Sequence, residues 1–310
     1  MNTEKSHLWG IILAGGAGKR LQDFTKRLYG YPRPKQYCVI TGARTMLEHT
    51  LQRARLLISP DHLLTVITQS HKPYADEIPL DQPPESYLIQ PENRDTGPGL
   101  LLPLMKIHQY DPRSTVVTFP SDHFILDNKR FMEYVRHAVH FVKSYQDIII
   151  LIGVRPHRYE GEYGWVEPMK VNFSFRGVNF YPVNRFIEKP QPDMVNALHA
   201  NGSLWNTFVL IGQVSTFLKH FREHLPDVFN VFDSIYKTIS TTQEEEAIRE
   251  VYRNLPPVNF SKSVLEHIAE HLYVLEASGI YWSDWGNEQR IRHDVKRFGL
   301  KLSMSERIDM

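Results

Sequence analysis

The stretch that most constrains this chain is an apolar run, Trp9-Gly10-Ile11-Ile12-Leu13-Ala14, that breaks abruptly into Gly15-Gly16-Ala17-Gly18-Lys19-Arg20-Leu21 and continues through a basic loop to Pro34-Lys35-Gln36. The apolar run predicts a buried strand. Three glycines in the next four positions permit backbone turns that larger residues resist. Successive N–H groups in such a turn converge on one point and form a concavity suited to phosphate oxygens, with Lys19, Arg20 and Lys35 as nearby charge. Two familiar phosphate loops fail on spacing. A P-loop requires Gly where Leu13 stands and Ser or Thr where Arg20 stands, and the dinucleotide fingerprint requires Gly at Leu21. Taken alone, the segment is equally a glycine turn beside a solvated basic face.

At 310 residues with 42% apolar composition, the chain is long enough for one large α/β domain or two small ones. A net charge of +1 gives no overall basic field to draw in nucleic acid or an anionic membrane. The single cysteine, Cys38, excludes an intrachain disulfide. The start, residues 1–7, lacks the apolar core of a signal peptide, and no apolar run approaches spanning length, so a cytoplasmic protein is expected.

Along the first half, strands are expected at 9–14, 37–40, 63–68, 87–90, 115–119 and 147–152. Helices are expected at 46 to about 57, where Thr45 and Glu48 form a capping-box pattern, and at 99–110 and 131–145. Apolar strands separated by helices predict an α/β fold with a doubly wound, mostly parallel, Rossmann-like sheet, which binds ligands beyond the carboxyl ends of its strands. From Gly164 to Lys189 the pattern alternates around Arg176-Gly177, which predicts a small β-rich subdomain. Helices at 214–223, about 243–252 and 263–270, a strand at 272–276 and a closing helix at 288–298 complete the expectation. No repeat or flexible linker interrupts the chain, so a single domain spanning 1–310 is expected, its halves dividing near residue 155.

Several segments carry candidate chemistry. Gln90-Pro91-Glu92-Asn93-Arg94-Asp95-Thr96-Gly97-Pro98 lies between a strand and a helix and reads first as a turn with a helix cap. Asp122, in Phe119-Pro120-Ser121-Asp122-His123, sits at a strand's carboxyl end; it either caps the next turn or offers a hard cation one of the few carboxylates Mg²⁺ takes. Tyr163-Gly164-Trp165-Val166-Glu167 reads equally as a strand edge, Glu188-Lys189 as an exposed ion pair, and Trp282-Ser283-Asp284-Trp285-Gly286 as core.

Taken in order, these segments resemble the sugar-1-phosphate nucleotidyltransferases, through Leu-Ala-Gly-Gly-x-Gly-x-Arg-Leu and then Pro-Lys-Gln. Pro34-Lys35-Gln36 and the Glu92-Asn93-Arg94 loop are similar to the mannose-1-phosphate guanylyltransferase branch. The resemblance implies a nucleotide site at Leu13, Ala14, Gly15, Gly16, Gly18, Lys19, Arg20, Lys35, Gln90, Asn93, Arg94, Thr96 and Asp122. It implies a sugar-phosphate site in the second half, at Gly164, Glu167, Glu188, Lys189 and Asn206, and Mg²⁺ on Asp122 and Asp284. Arg20, Lys35, Asp122, Lys189 and Asp284 are then the catalytic set. The chain departs from the family pattern with Lys19 for Thr, Gln22-Asp23 for Trp-Pro, Asp95 and Gly97 for Asn and Ala, Trp165 for Tyr, Thr207-Phe208 for a small pair, and Ser261-Lys262-Ser263 for Ser-Ile-Asp. The implied partners are a nucleoside triphosphate, with GTP first, and a sugar 1-phosphate, with mannose 1-phosphate first. Pyrophosphate leaves, no appended isomerase is expected, and a homodimer is left open. A catalytically weak sugar-nucleotide-binding regulatory paralogue and a glycosyltransferase are the competing classes, and a nucleotidyltransferase for another base or sugar phosphate stays open.

Overall fold

The computed structural model describes residues 7–78 and 83–303. Residues 1–6, most of the segment read as lacking a leader, lie outside them. The first half comprises β1 (Leu8–Leu13), α1 (Gln22–Tyr29), α2 (Met46–Ala54), β2 (Leu63–Thr68), α3 (Lys72–Asp76), β3 (Tyr87–Gln90), α4 (Thr96–Tyr110), β4 (Thr115–Pro120), β5 (Phe124–Ile125), α5 (Asn128–Ser144) and β6 (Ile149–Val154). The second comprises β7 (Gly164–Pro168), β8 (Phe173–Phe175), β9 (Val178–Glu188), α6 (Pro192–Ala200), β10 (Leu204–Gln213), α7 (Val214–His224), α8 (Pro226–Thr238), α9 (Glu244–Asn254), α10 (Phe260–Ser263), β11 (Leu272–Glu276), β12 (Trp282–Ser283) and α11 (Glu288–Arg297).

The main sheet runs β3-β2-β1-β4-β10-β6-β11-β9-β7, with β8 paired to β9. Strand β1 lies parallel between β2 and β4, with Ile11 opposite both Leu64 and Thr118. Successive strand residues face opposite layers. Ile12 accordingly joins the layer of α2 and α5 with Leu47, Leu51 and Phe131, while Ile11 joins the layer of α4, α7 and α8 with Leu100, Phe217 and Phe232. Both isoleucines are fully buried, each stabilising the fold by roughly 1.5–3 kcal/mol. Helices on both faces explain why β1, β2, β4 and β6 read as continuous apolar runs.

The order of strands is parallel in two blocks joined by β10, which runs antiparallel to both β4 and β6. The register of β10 shifts between Asn206 and Leu210, and Phe208 there has φ +59°. That bulge interrupts the alternation on which a strand is recognised, so β10 escapes a reading by period. The 164–189 segment forms the expected antiparallel ribbon, and β9 also pairs with β11, so the ribbon extends the main sheet.

Three local expectations fail. Residues 37–40 are not a strand: Lys35–Tyr37 is a 3₁₀ turn, and among the described residues the only ladder contact nearby is a bridge from Thr41 to Leu302. The buried Gln36 and Tyr37 side chains instead bind the glycine loop, so side-chain bonds hold the segment. The basic loop contains α1, because Phe24 and Leu28, four residues apart, bury one face and Gly30 at φ +83° ends it. Residues 263–270 are not one helix but the end of α10 and two 3₁₀ turns. Helices α3, α6 and α8 and the short strands β5 and β12 likewise escape a reading from the sequence; α6 and α8 are each begun by a proline. No described helix is long and apolar enough to cross a membrane.

Candidate active site

The glycine loop leaves β1 at the carboxyl edge of the parallel strands and is held from beneath through its carbonyls. Leu13 O accepts from Ser121 N (3.1 Å) and Ser121 Oγ (2.7 Å). Ala14 O accepts from Gln36 Nε2 (2.8 Å) and the Tyr37 hydroxyl (3.0 Å), and the same Gln36 amide reaches Gly16 O at 2.8 Å. Gly18 has φ +59°, and a Cβ there would stand 3.2 Å from Lys35 N, so glycine is needed where the two segments pass.

Lys35, although charged, is almost completely buried. Its Nζ donates to the main-chain carbonyls of Asp284 and Trp285 and lies 3.1 Å from Asp122 Oδ2. It thereby connects the end of β4 to the turn before α11. Asp122 keeps 37% of its side chain exposed. Burial alone would raise its carboxyl, but the charges of Lys35 and His123 outweigh that and hold it below the usual carboxylate range. The His123 ring packs edge-on against Trp282, and burial pushes its pKa down, which favours an orienting role over proton transfer.

Asp284 is more tightly enclosed. Its Oδ1 accepts from the Tyr163 hydroxyl (2.6 Å), Gly286 N (2.9 Å) and Arg290 Nη1 (2.8 Å), while Oδ2 faces Arg20 Nη2 at 3.6 Å. Against the upward push of burial, Lys35, the Tyr163 hydrogen bond and Arg290 hold this carboxyl down at about 2. A Cβ on Gly286 would overlap Asp284 Oδ2, so glycine keeps that oxygen accessible. Arg20 is half exposed and also bonds Glu162 at 3.1 Å.

On the other wall, β3 ends at Gln90, whose amide nitrogen would stand 3.7 Å from a Cβ on Gly15 and 3.5 Å from one on Gly99, and whose Oε1 accepts from the Tyr252 hydroxyl at 3.2 Å. Asp95, at φ +67°, caps α4 through Thr96 N (2.6 Å), while Thr96 Oγ1 accepts from Phe260 N (2.9 Å). Gly97 N donates to Val258 O at 2.7 Å, and a Cβ on Gly97 would stand 2.8 Å from that oxygen. The departure from Ala at this position therefore has a steric cause.

From the second half, Lys189 is exposed at the end of β9 with φ +52°, its N–H bonded to Tyr163 O at 3.1 Å. Gly164, Glu188 and Asn206 form one group: a Cβ on Gly164 would lie 2.9 Å from Glu188 Oε2 and 3.5 Å from the Asn206 Cβ. Burial pushes the Glu188 carboxyl up, against the opposing pull of Lys189 and the Ser261 hydroxyl.

A cleft of about 620 Å³ is lined by Leu13, Gly15, Gly16, Arg20, Gln90, Asn93, Thr96, Asp122 and Lys189, bringing these expected positions together. Asp284 and Lys35 join it through Arg20 and Asp122. Lys19 is exposed, and neither it nor Ala14 nor Gly18 lines the cleft. Two expected residues turn away. Arg94 pairs with Glu92 at 2.9 Å and donates to Tyr252 O at 3.3 Å, and Glu167 pairs with Arg185 across β7 and β9 at 3.0 Å. Sequence reasoning missed Gln36, Ser121, Tyr163 and Arg290 as positioning residues; the first three lie inside motifs already singled out, whereas Arg290 had no signal beyond its place in α11.

The profile of the Nucleotidyl transferase family matches residues 9–296. Mannose-1-phosphate guanylyltransferase of Escherichia coli K12 is 24% identical over 291 residues, covering 91% of this chain and 59% of that protein. Alginate biosynthesis protein AlgA of Pseudomonas syringae pv. tomato is 25% identical over 280 residues, covering 89% and 56%. The chain thus spans less than three-fifths of the curated relatives it matches. Among solved structures, one titled mannose-1-phosphate geranyltransferase from Thermus thermophilus superposes with a TM-score of 0.73 at 25% identity, covering 92% of this chain and 79% of that one. The match over 9–296 takes in both the glycine loop and the Asp284 turn, and this chain belongs to the nucleotidyl transferase family.

Proposed function

We propose that this chain transfers a nucleotidyl group from a nucleoside triphosphate, GTP as first candidate, to a hexose 1-phosphate, mannose 1-phosphate as first candidate. An oxygen of the sugar phosphate attacks the α-phosphorus, a new P–O bond forms, the bond to the β-phosphate oxygen breaks, and pyrophosphate leaves. The nucleophile is already an anion, so alignment and neutralisation of charge are the main demands. The observation that carries this reading is that Lys189, from the second half, lines one cleft with Gly15, Gly16, Asn93 and Asp122 from the first. The glycine loop and Arg20 receive the triphosphate, the 90–96 loop receives the base and ribose, and Lys189 holds the sugar phosphate. The names of the guanylyltransferase relatives support the choice of GTP and mannose 1-phosphate.

The donor set fits a hard divalent cation. Asp122 and Asp284 are both held in the ionised form, Asp284 Oδ1 carries the three protein hydrogen bonds, and glycine at 286 leaves room beside Oδ2. These two carboxylates would hold Mg²⁺, which when bound neutralises phosphate charge. Pyrophosphate release measured over a panel of triphosphates and hexose 1-phosphates tests the reading. Release that requires both substrates, with GTP and mannose 1-phosphate the best pair, is expected; no release with any pair overturns it.

A further inference from the structure

On the other helical layer, α7 carries His220, Glu223 and His224 at spacings of three and four, which place all three on one face of the helix. One ligand atom from each lies within 4.8 Å of the others. His220 is completely buried, yet neither ring nitrogen has a hydrogen-bond partner among the described residues; Nδ1 lies 3.5 Å from Glu223 Oε2 without a hydrogen bond. A buried imidazole with both nitrogens unpaired is rare, because desolvation then goes unrecovered. Two more histidines close the group: the His271 ring lies 4.9 Å from that of His220, and the His267 ring stacks on His224 at 6.1 Å and 14°.

We propose that His220, Glu223 and His224 bind one borderline transition-metal ion of the zinc class, with His271 as the nearest further imidazole. Two imidazoles and a carboxylate are a donor set that zinc takes, whereas Mg²⁺ prefers oxygen alone. Bonds of about 2.0–2.1 Å in a tetrahedral shell set ligand atoms roughly 3.3 Å apart, so an adjustment on the order of 1 Å closes the site. Glu223 is exposed and His224 half-buried, and both can move by that amount. The site is separate from the cleft. His271 immediately precedes Leu272, which shares with Ile149, Gly212 and Val116 the row at the amino ends of β11, β6 and β4, whereas the cleft lies at the carboxyl ends. A bound ion would tie α7 to the turns before β11 and satisfy the buried His220.

The test uses untagged, chelator-treated protein titrated with Zn²⁺ in calorimetry without nucleotide or Mg²⁺, with the melting temperature and the visible absorption of a Co²⁺-loaded sample as further readouts. Wild type should take up one equivalent, melt roughly 5 °C higher or more with excess Zn²⁺, and show the absorption of a four-coordinate Co²⁺ site. Glu223→Gln and His224→Ala, the first exposed and the second half-buried, should keep the metal-free melting temperature and lose affinity by about 10–100-fold or more. Asp122→Asn should bind Zn²⁺ as wild type does. Absence of stoichiometric uptake by wild type, equal uptake by the two α7 variants, or loss of uptake in Asp122→Asn would overturn the proposal.

Discussion

The Tyr163 hydroxyl donates to Asp284 Oδ1 at 2.6 Å across 121 residues of sequence, tying the start of the β7 ribbon to the turn before α11. The bond also sets a charge, because it joins Lys35 and Arg290 in holding Asp284 at about 2 despite burial. A carboxyl depressed in the folded state contributes stability that is present above its unfolded pKa and lost as pH falls through the folded value. For Asp284 that window runs from about 4 down to about 2, and the contribution is of order 2 kcal/mol.

Tyr163→Phe removes one of the Oδ1 donors and leaves the ring packed edge-on against Trp205 and Trp282. About 1 kcal/mol of stability at neutral pH should be lost, and the midpoint of acid unfolding should move up in pH. An unchanged midpoint in an acid titration followed by circular dichroism would show that the phenol does not tune Asp284.

Asp122 and Asp284 should separate when each is changed to Asn. Asp284 is enclosed and bonded to Tyr163, Gly286 and Arg290, so Asp284→Asn should lower the melting temperature and raise the Mg²⁺ requirement together. Asp122 is more than a third exposed, so Asp122→Asn should raise the Mg²⁺ requirement and cut turnover by orders of magnitude with a smaller loss of stability. Unaltered Mg²⁺ dependence in either variant removes that residue from the metal set.

What the sequence made legible follows from where chemistry leaves a local pattern. The buried parallel strands were readable because helices cover both faces, and Asp122 because it follows such a strand. Strand β10 was not, since its bulge at Asn206 to Leu210 breaks the period. Arg94 and Glu167 illustrate the limit at the site: their backbones stand in the expected segments, but Glu92 and Arg185 draw their charges elsewhere, a tertiary contact that no local motif encodes. Lys35 reads in sequence as charge for the triphosphate and proves buried, its amine taken up by two carbonyls and Asp122.

Gly97→Ala tests the packing of the base-side loop. The added Cβ would meet Val258 O at 2.8 Å and Val258 side-chain carbons at 3.3 Å, and backbone must shift to relieve it. A loss of about 1–3 kcal/mol is expected by denaturant unfolding, with weaker nucleotide binding as the 90–96 loop is displaced. A variant as stable as wild type would show that the Val258 segment yields freely.

Lys189→Ala should raise KM for the sugar phosphate far more than KM for the triphosphate, because its exposed charge enters the cleft from the second half of the chain. The backbone there already has φ +52°, and Ala tolerates it no worse than Lys, so stability should change little. Equal weakening of both substrates in calorimetry would remove the assignment.

Gln36 offers the sharpest test of the glycine loop, since one amide nitrogen serves both Ala14 O and Gly16 O at 2.8 Å. Gln36→Met keeps the length and apolar contacts of the side chain but removes the donor. Ala14 O retains the Tyr37 hydroxyl, whereas Gly16 O loses the amide that fixes the loop. The cost should therefore be about 1–2 kcal/mol of stability, with a larger effect on function. A loop free to turn its carbonyls toward the cleft presents negative dipoles where phosphate oxygens should bind, so triphosphate KM should rise by roughly 10-fold or more while sugar-phosphate KM stays within about twofold. Gln36→Glu sharpens the contrast: an anion facing two carbonyl oxygens repels both, and the variant should be less stable than Gln36→Met. If Gln36→Met binds triphosphate as wild type does, the loop is preorganised by its glycines, Ser121 and Tyr37, and Gln36 has no part in shaping the phosphate site.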